Sequence, residues 1–147
     1  MQMSRAVKYK ISYGSSDADF TGKVNSHRGY LEVNVTKGAD IPLIRTKLAG
    51  DYNLPNVMSA VCIGKAFSVP DEKIKNAIEE YTPSNSRSQI IKKGTNTVLL
   101  DAYNANPSSM KAAIENFAKL HYPNKVLMLG AMAELGAESI EEHRLQG

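Results

Sequence analysis

The sequence predicts an α/β chain in which antiparallel strands and two helices come first and a strand–helix–strand unit with parallel strands comes second. Apolar and polar residues alternate in much of residues 5–37, which is typical of half-buried strands. From Gly50 onwards the apolar residues recur at helical spacing. Beyond residue 88, short apolar runs lie on either side of an amphipathic helix, which is the order of a βαβ unit.

Short strands joined by tight turns make up the first part. The pattern predicts strands over residues 5–13, through 20–24 and around 31–35, with a further extended piece at 41–45. Residues 14–17 are turn-forming types. Because no helix separates these strands, we expect them to pair antiparallel. The side chains expected on buried faces are Val7, Tyr9, Ile11 and Tyr13 in the first strand and Leu31, Val33 and Val35 in the third.

Two helices are predicted between residues 50 and 82. Asn53 is a suitable N-cap for the first, and Pro55 is tolerated in its first turn. The second helix is expected to start at Pro70, with Asp71 and Glu72 near its positive end. The expected core stripes are Val57, Ala60, Val61 and Gly64 in the first helix and Ile74, Ala77, Ile78 and Tyr81 in the second.

A segment rich in serine, proline and asparagine, residues 82–86, predicts a linker between two domains. The domains would occupy residues 1–82 and 83–147. The strands beyond the linker are too few for a complete doubly wound sheet. We therefore expect the end of one domain and the start of another.

The part beyond the linker is predicted to contain a hairpin, a crossover and a last helix. Residues 88–92 and 97–101 have the pattern of paired strands, and 107–120 that of a helix. Residues 125–129 are almost wholly apolar, as in strands buried on both faces of a parallel sheet. We therefore expect a right-handed βαβ crossover ending at this strand, and a final helix from about Ser139.

Composition excludes several classes of function. Of the 147 residues, 42% are hydrophobic and 22% are charged, which is a globular balance. No apolar run approaches the roughly 20 residues that span a bilayer, so we expect no membrane insertion. The net charge of +3 is not gathered into a basic block and tryptophan is absent, so we expect no nucleic-acid partner. One cysteine, Cys62, cannot form an internal disulfide and fits a cytoplasmic protein.

Polar side chains crowd the point at which the second hairpin strand ends and a helix begins. In open α/β sheets, ligands bind outside the carboxyl ends of the strands. Asp101 could accept hydrogen bonds from ribose hydroxyls, and Tyr103, Asn104 and Asn106 could line a nucleotide or substrate cleft. Asn106 also stands before a proline, as an N-cap residue would, and the two interpretations are compatible.

Three further residues could serve a nucleotide. Asn53 and Asn56 carry the paired donor and acceptor that can read the edge of an adenine ring. Alternatively they are an N-cap and a solvent-exposed amide. Arg87, at the end of the linker, could bind phosphate oxygens in bidentate fashion, or it could simply be solvated.

A second loop, residues 130–136, follows the next predicted strand and would reach the same edge of the sheet. Glu134 could orient a substrate amine there. His143 could bind or transfer a proton, or it could be an ordinary exposed residue of the last helix. The sequence contains no P-loop pattern and no cysteine and histidine cluster for zinc. We expect neither a catalytic residue nor a metal site in this chain.

Three of these segments, taken in order, resemble the Mur ligases. They are GDYNLPN at 50–56, DAYNANPSSM at 101–110, and LGAMAELG at 129–136, which is followed by Ser139 and His143. The similarity is specific over residues 50–147 and loose before them. Within the family it is greatest to the enzymes that join D-alanyl-D-alanine to UDP-N-acetylmuramoyl-tripeptide.

The resemblance implies the end of a P-loop-type ATPase domain followed by part of a Rossmann-like domain. It implies ATP and Mg²⁺ as cofactors, an acyl phosphate intermediate, and the muramoyl tripeptide and D-alanyl-D-alanine as substrates. Asn53 and Asn56 would contact adenine, Arg87 would reach the ribose and phosphates, and Asp101 would bind the ribose hydroxyls. Tyr103, Asn104 and Asn106 would lie in the cleft between the domains.

The family's P-loop lysine and metal ligands would precede Met1, so the chain alone is expected to be inactive. The parent enzyme is expected to be a monomer. Two alternatives stay open at this point. One is a ligase of the related folylpolyglutamate synthase branch, and the other is a non-catalytic nucleotide-binding or interaction module.

Overall fold

The computed structural model describes residues 9–26, 30–84, 86–133 and 135–146. Two groups of elements follow one another along the chain. The first comprises β1 (Tyr13–Gly14), β2 (Phe20–Ser26), β3 (Tyr30–Lys37), β4 (Ile44–Ala49), α1 (Leu54–Ala66) and α2 (Asp71–Glu80). The second comprises β5 (Gln89–Lys93), β6 (Asn96–Leu100), α3 (Pro107–Lys119) and α4 (Ser139–Gln146). Single 3₁₀ turns precede α1 and α4, at Asp51–Asn53 and Gly136–Glu138.

The strands β1 to β4 form one sheet in sequence order. The predicted antiparallel pairing is confirmed for β2, β3 and β4, where Val24 lies opposite Val33 and Val33 opposite Ile44. The fourth strand begins at Ile44 and not at Ile41 as predicted, although Ile41 is also buried.

The prediction for the first strand is wrong in the described residues. β1 has only two residues and pairs with β2 in parallel. Tyr9 and Ile11 belong to no strand and are 77% and 50% exposed, and Val7 lies outside the described residues. The chain is instead held at Ser12, whose backbone and hydroxyl donate hydrogen bonds to the carboxylate of Asp19. Alternation alone cannot bury a strand that no other layer covers.

α1 and α2 pack against the sheet and against each other to form the core. Its buried members are Leu31, Val33, Ile41, Ile44, Val57, Met58, Val61 and Ile74. The predicted α1 stripe is correct for two residues, but Ala60 is exposed, and Met58 and Cys62 are buried instead. Gly64 has an evident reason to be glycine, because an added Cβ would lie 2.7 Å from the side chain of Ile74 on α2.

The α2 helix begins at Asp71, one residue after the predicted start. Its predicted stripe is only partly correct, since Ile74 is buried but Ala77 and Tyr81 are exposed. Asp71 accepts hydrogen bonds from the Lys65 side chain and from the backbone of Asp40. These contacts, led by that of Lys65, lower the pKa of the Asp71 carboxyl and tie the start of α2 to its surroundings.

In the second group, β5 and β6 form the predicted antiparallel hairpin, with Gly94 at a φ of 60° in its two-residue turn. α3 and α4 are also confirmed close to their predicted bounds. The predicted buried strand at Lys125–Leu129 is wrong: these residues form no strand, and Val126 and Met128 are 82% and 91% exposed. A strand of a parallel sheet needs a neighbouring strand to which it is hydrogen-bonded. Within the described ranges β6 pairs with β5 alone, so residues 125–129 have no such neighbour there.

Candidate functional site

Four hydrogen-bonded residues, which we call the hinge cluster, connect the two groups of elements: Tyr52, Asn53, Ser88 and Asp101. Tyr52 and Asn53 lie in the 3₁₀ turn before α1, Ser88 precedes β5, and Asp101 follows β6. The backbone N–H of Ala49 also donates to the carbonyl of Ser88, over 3.2 Å. The structure thus links Asn53 and Asp101, two of the predicted site residues, through a serine that the sequence did not single out.

Asp101 is exposed, yet its carboxylate is fixed in orientation. Oδ1 accepts a hydrogen bond from the backbone N–H of Ser88 (3.2 Å), and Oδ2 accepts one from the Tyr52 hydroxyl (2.9 Å). A carboxylate has about four lone-pair sites, so it can accept further bonds from the solvent side. The predicted role of Asp101 in binding ribose hydroxyls would use these remaining acceptor sites.

Asn53 is buried, and its amide is used within the protein. Its Nδ2 donates to the carbonyl of Ala49 (2.7 Å) and to Oγ of Ser88 (3.1 Å). Its Oδ1 accepts from Nδ2 of Asn56 (2.9 Å). The expected side-chain N-cap bond is absent, because Asn53 already has helical backbone angles and its amide is engaged by the hinge. Asn56 is exposed, and its bond to Asn53 fixes the orientation of its amide.

Arg87 and Tyr103, predicted separately, are brought together. The guanidinium carbon lies 3.7 Å from the centroid of the Tyr103 ring, a cation–π arrangement in which both side chains are exposed. Ser86 and Ser88, on either side of Arg87, have positive φ angles of 53° and 49°. The arginine is therefore presented from a tightly constrained piece of backbone.

Asn106 is the N-cap of α3, which confirms the capping interpretation of this residue. Its Oδ1 accepts from the backbone N–H of Ser109 (2.9 Å), and Oγ of Ser109 accepts from the backbone N–H of Asn106 in return. Asn104 is exposed in the loop before it. Both residues lie on the segment that follows Asp101, but capping accounts for the Asn106 side chain.

His143 holds the second loop against α4. Its Nε2 accepts a hydrogen bond from the backbone N–H of Met132, which is buried, over 2.8 Å. Nδ1 therefore carries the proton and donates to the carbonyl of Ser139 (2.6 Å). In the described part of the chain these bonds link His143 to its own loop and not to the hinge cluster. Glu134 lies outside the described residues.

Tyr52 and Ser88 are the functional candidates that sequence reasoning missed. Burial of the Tyr52 hydroxyl and the nearby charge of Asp101 raise its pKa to about 12, with the hydrogen bond to Ser88 opposing the rise. The only sequence signal was position: each is adjacent to a predicted site residue, Asn53 and Arg87 respectively.

Three exposed side chains at or beside the hinge cluster carry different polar groups. Asn56, Arg87 and Asp101 offer an amide, a guanidinium and a carboxylate at or beside the hinge cluster. Across the described ranges no three histidine, cysteine, aspartate or glutamate side chains are grouped so as to hold a metal ion. The same ranges contain no helix long and apolar enough to cross a membrane.

Comparison with known proteins gives consistent matches. Residues 86–145 match the family model described as "Mur ligase, glutamate ligase domain". The UDP-N-acetylmuramoyl-tripeptide–D-alanyl-D-alanine ligase of Treponema pallidum is 37% identical over 100 residues, covering 68% of this chain and 22% of that protein. The ligase of the same name from Escherichia coli is 33% identical over 141 residues, covering 92% of this chain and 30% of the other.

Solved structures extend the likeness to the fold. A crystal structure of MurF from Acinetobacter baumannii superposes with a TM-score of 0.79 at 28% identity, covering 90% of this chain and 29% of that one. MurF ligase from Thermotoga maritima in complex with ADP gives a TM-score of 0.73 at 22% identity, covering 92% and 32%. The chain thus spans less than a third of the curated relatives described above.

Proposed function

Because the chain belongs to the Mur ligase family, we propose that it is part of an ATP-dependent ligase that joins D-alanyl-D-alanine to UDP-N-acetylmuramoyl-tripeptide. The observation that carries this proposal is the 33% identity to a ligase of that specificity over 92% of the chain. Such a reaction transfers a phosphoryl group from ATP to the peptide carboxylate, and the dipeptide amine then displaces phosphate from the acyl phosphate. Positioning and charge stabilisation dominate catalysis of this kind.

The proposal divides the chain at the linker. Residues 1–82 would be the end of a central ATPase domain, and residues 83–147 the start of a C-terminal domain. Two separate sheets, one ending at β4 and the other beginning at β5, support this division. The hinge cluster would then connect the two domains.

Within this frame the exposed groups around the hinge cluster form one wall of the nucleotide site. Asn56 would read adenine with its amide held by Asn53, Asp101 would bind the ribose hydroxyls, and Arg87 would reach the ribose and phosphates. Tyr103, as the stacking partner of Arg87, would lie in the same cleft.

The remaining predicted residues belong to the substrate side. Asn104 and Asn106 would line the cleft, and Glu134 and His143 would lie on the side of the substrate amine.

Mg²⁺ would accompany ATP, and none of its ligands is assigned to a residue of this chain. We also propose that the parent protein is a cytoplasmic monomer.

The test is a phosphate-release assay on the full-length protein that contains this segment. We expect phosphate only when ATP, UDP-N-acetylmuramoyl-tripeptide and D-alanyl-D-alanine are all present. Asp101→Asn should raise the KM for ATP roughly tenfold or more, because it weakens hydrogen bonds to a charged acceptor. Asp17→Asn is the matched control, since the same change is made in an exposed turn. Phosphate release dependent on folate and glutamate would contradict the proposal.

A further inference from the structure

The backbone on either side of Arg87 is held in an unfavourable conformation. Ser86 and Ser88 both occupy the left-handed region, which side chains other than glycine rarely adopt. Such residues persist only where their surroundings hold them, and they are concentrated at functional sites.

Each polar group of Ser88 has a hydrogen-bonding partner, and the residue is buried. Its carbonyl accepts from Ala49, its N–H donates to Asp101, and its hydroxyl contacts both Asn53 and Tyr52. The carbonyl of Ser86 accepts from the N–H of Ala102 over 2.7 Å, one residue beyond Asp101. The conformation around Arg87 is thus determined jointly by the turn before α1 and the end of β6.

The chemistry of the groups fixes the direction of the hydrogen bonds through the hinge cluster. The ionised carboxylate of Asp101 can only accept, so the single hydroxyl proton of Tyr52 points towards it. The Ser88 hydroxyl, 2.9 Å from the Tyr52 oxygen, must then donate to Tyr52, and it accepts in turn from Asn53. The chain of donors runs from Asn53 through Ser88 and Tyr52 and ends on Asp101.

The ring of Tyr52 is also fixed in place. Gly50, at a φ of 90°, lies so close to this ring that an added Cβ would collide with it. A ring packed on backbone along one edge and hydrogen-bonded through its hydroxyl has little freedom to reorient.

We propose that Tyr52 is a positioning residue for nucleotide binding, which orients the carboxylate of Asp101 and, through Ser88, the backbone that presents Arg87. This inference rests on the proposed function, because it assumes that Asp101 faces a nucleotide. Tyr52 itself touches no nucleotide in this scheme and acts only through its neighbours.

The first experiment measures ADP affinity by isothermal titration calorimetry in the full-length protein. Tyr52→Phe keeps the ring on Gly50 and removes only the hydroxyl, so the fold should survive. We expect ADP to bind roughly fivefold to tenfold more weakly than to the unsubstituted protein. Tyr81→Phe, which removes a hydroxyl from an exposed tyrosine at the end of α2, should stay within about twofold. Equal affinity in Tyr52→Phe and the unsubstituted protein would overturn the proposal.

A double-mutant cycle separates positioning from general stabilisation. Because Tyr52 is inferred to act through Asp101 as well as through Ser88, adding Tyr52→Phe to Asp101→Asn should weaken ADP binding by clearly less than the fivefold to tenfold that Tyr52→Phe causes on its own. If the factors by which the two single substitutions weaken ADP binding multiply fully in the double variant, the two residues act independently, and this would contradict the inference.

Amide hydrogen exchange distinguishes failure of this inference from failure of the proposed function. Faster exchange at Ser88 and Ala102 in Tyr52→Phe would support the positioning contact whatever the ligand. If the unsubstituted protein bound no ADP while this exchange changed as expected, the proposed function would fail and the contact would stand. Unchanged exchange together with normal ADP binding would overturn the positioning role alone.

Discussion

Tyr52 should lose its proton about two pH units later than an ordinary tyrosine. Burial of the hydroxyl is the main cause, and the charge of Asp101 adds to it, so that the pKa of Tyr52 rises from 10.0 to about 12. One pKa unit corresponds to about 1.36 kcal/mol, so the whole shift would equal roughly 2.7 kcal/mol. Because Tyr52 is only half-buried, solvent screening reduces its contribution to about 1–2 kcal/mol.

The sign of this effect follows from the two states of the protein. The folded-state pKa lies above the unfolded value, so the contribution to stability is complete below about pH 10. It is lost progressively as the pH rises through about 12, because the unfolded state releases the proton first.

The assay is an ultraviolet titration of tyrosinate in the chain and in Tyr52→Phe, whose difference isolates the ionisation of Tyr52. We expect a midpoint near 12, and a lower one in Asp101→Asn, where the neighbouring charge is gone. A midpoint near the ordinary value of about 10 would refute the burial of the Tyr52 hydroxyl, and a midpoint that is unchanged in Asp101→Asn would refute the bond from Tyr52 to Asp101.

Three further predictions concern the scaffold. Gly64→Ala should cost about 1–3 kcal/mol in urea unfolding, because the new Cβ meets Ile74, whereas Gly130→Ala, with open space around it, should change stability by under about 0.5 kcal/mol. Because the pKa of Asp71 is lowered in the folded state, its ionised carboxylate stabilises the fold at pH values above the ordinary carboxyl pKa. This stability is lost as the pH falls through the lowered pKa of the folded state, and acid titration of Asp71→Asn should lack this loss of stability. Asn106→Ala should destabilise α3 by about 1 kcal/mol, measurable by circular dichroism during thermal unfolding, and an unchanged transition would contradict the capping box.

The sequence predicts elements well where a local pattern also finds a packing partner. β3 is correct because Leu31 and Val33 alternate and the helices cover their face of the sheet. The hairpin at Gly94 and the cap at Asn106 are correct because both depend on local chemistry. Tyr9 has the same alternating pattern as β3 but no covering layer, so periodicity there does not lead to burial.

The errors concern interactions between segments that are distant in sequence. Residues 125–129 are apolar enough for a buried strand, but pairing requires a neighbour that composition cannot supply. In the candidate site, residue type and position are enough to predict roles for Asp101 and Asn56. Tyr52 and Ser88 could not, because their importance arises only when the hinge brings together residues 36 positions apart.

The central claim, that Asp101 forms part of a nucleotide site at the hinge cluster, is tested most directly by a crystal structure of the full-length protein with ADP. We predict a ribose hydroxyl within about 3.2 Å of an Asp101 carboxylate oxygen, with the Tyr52 bond retained. A ribose bound elsewhere, with Asp101 contacting only Tyr52 and Ser88, would contradict the claim.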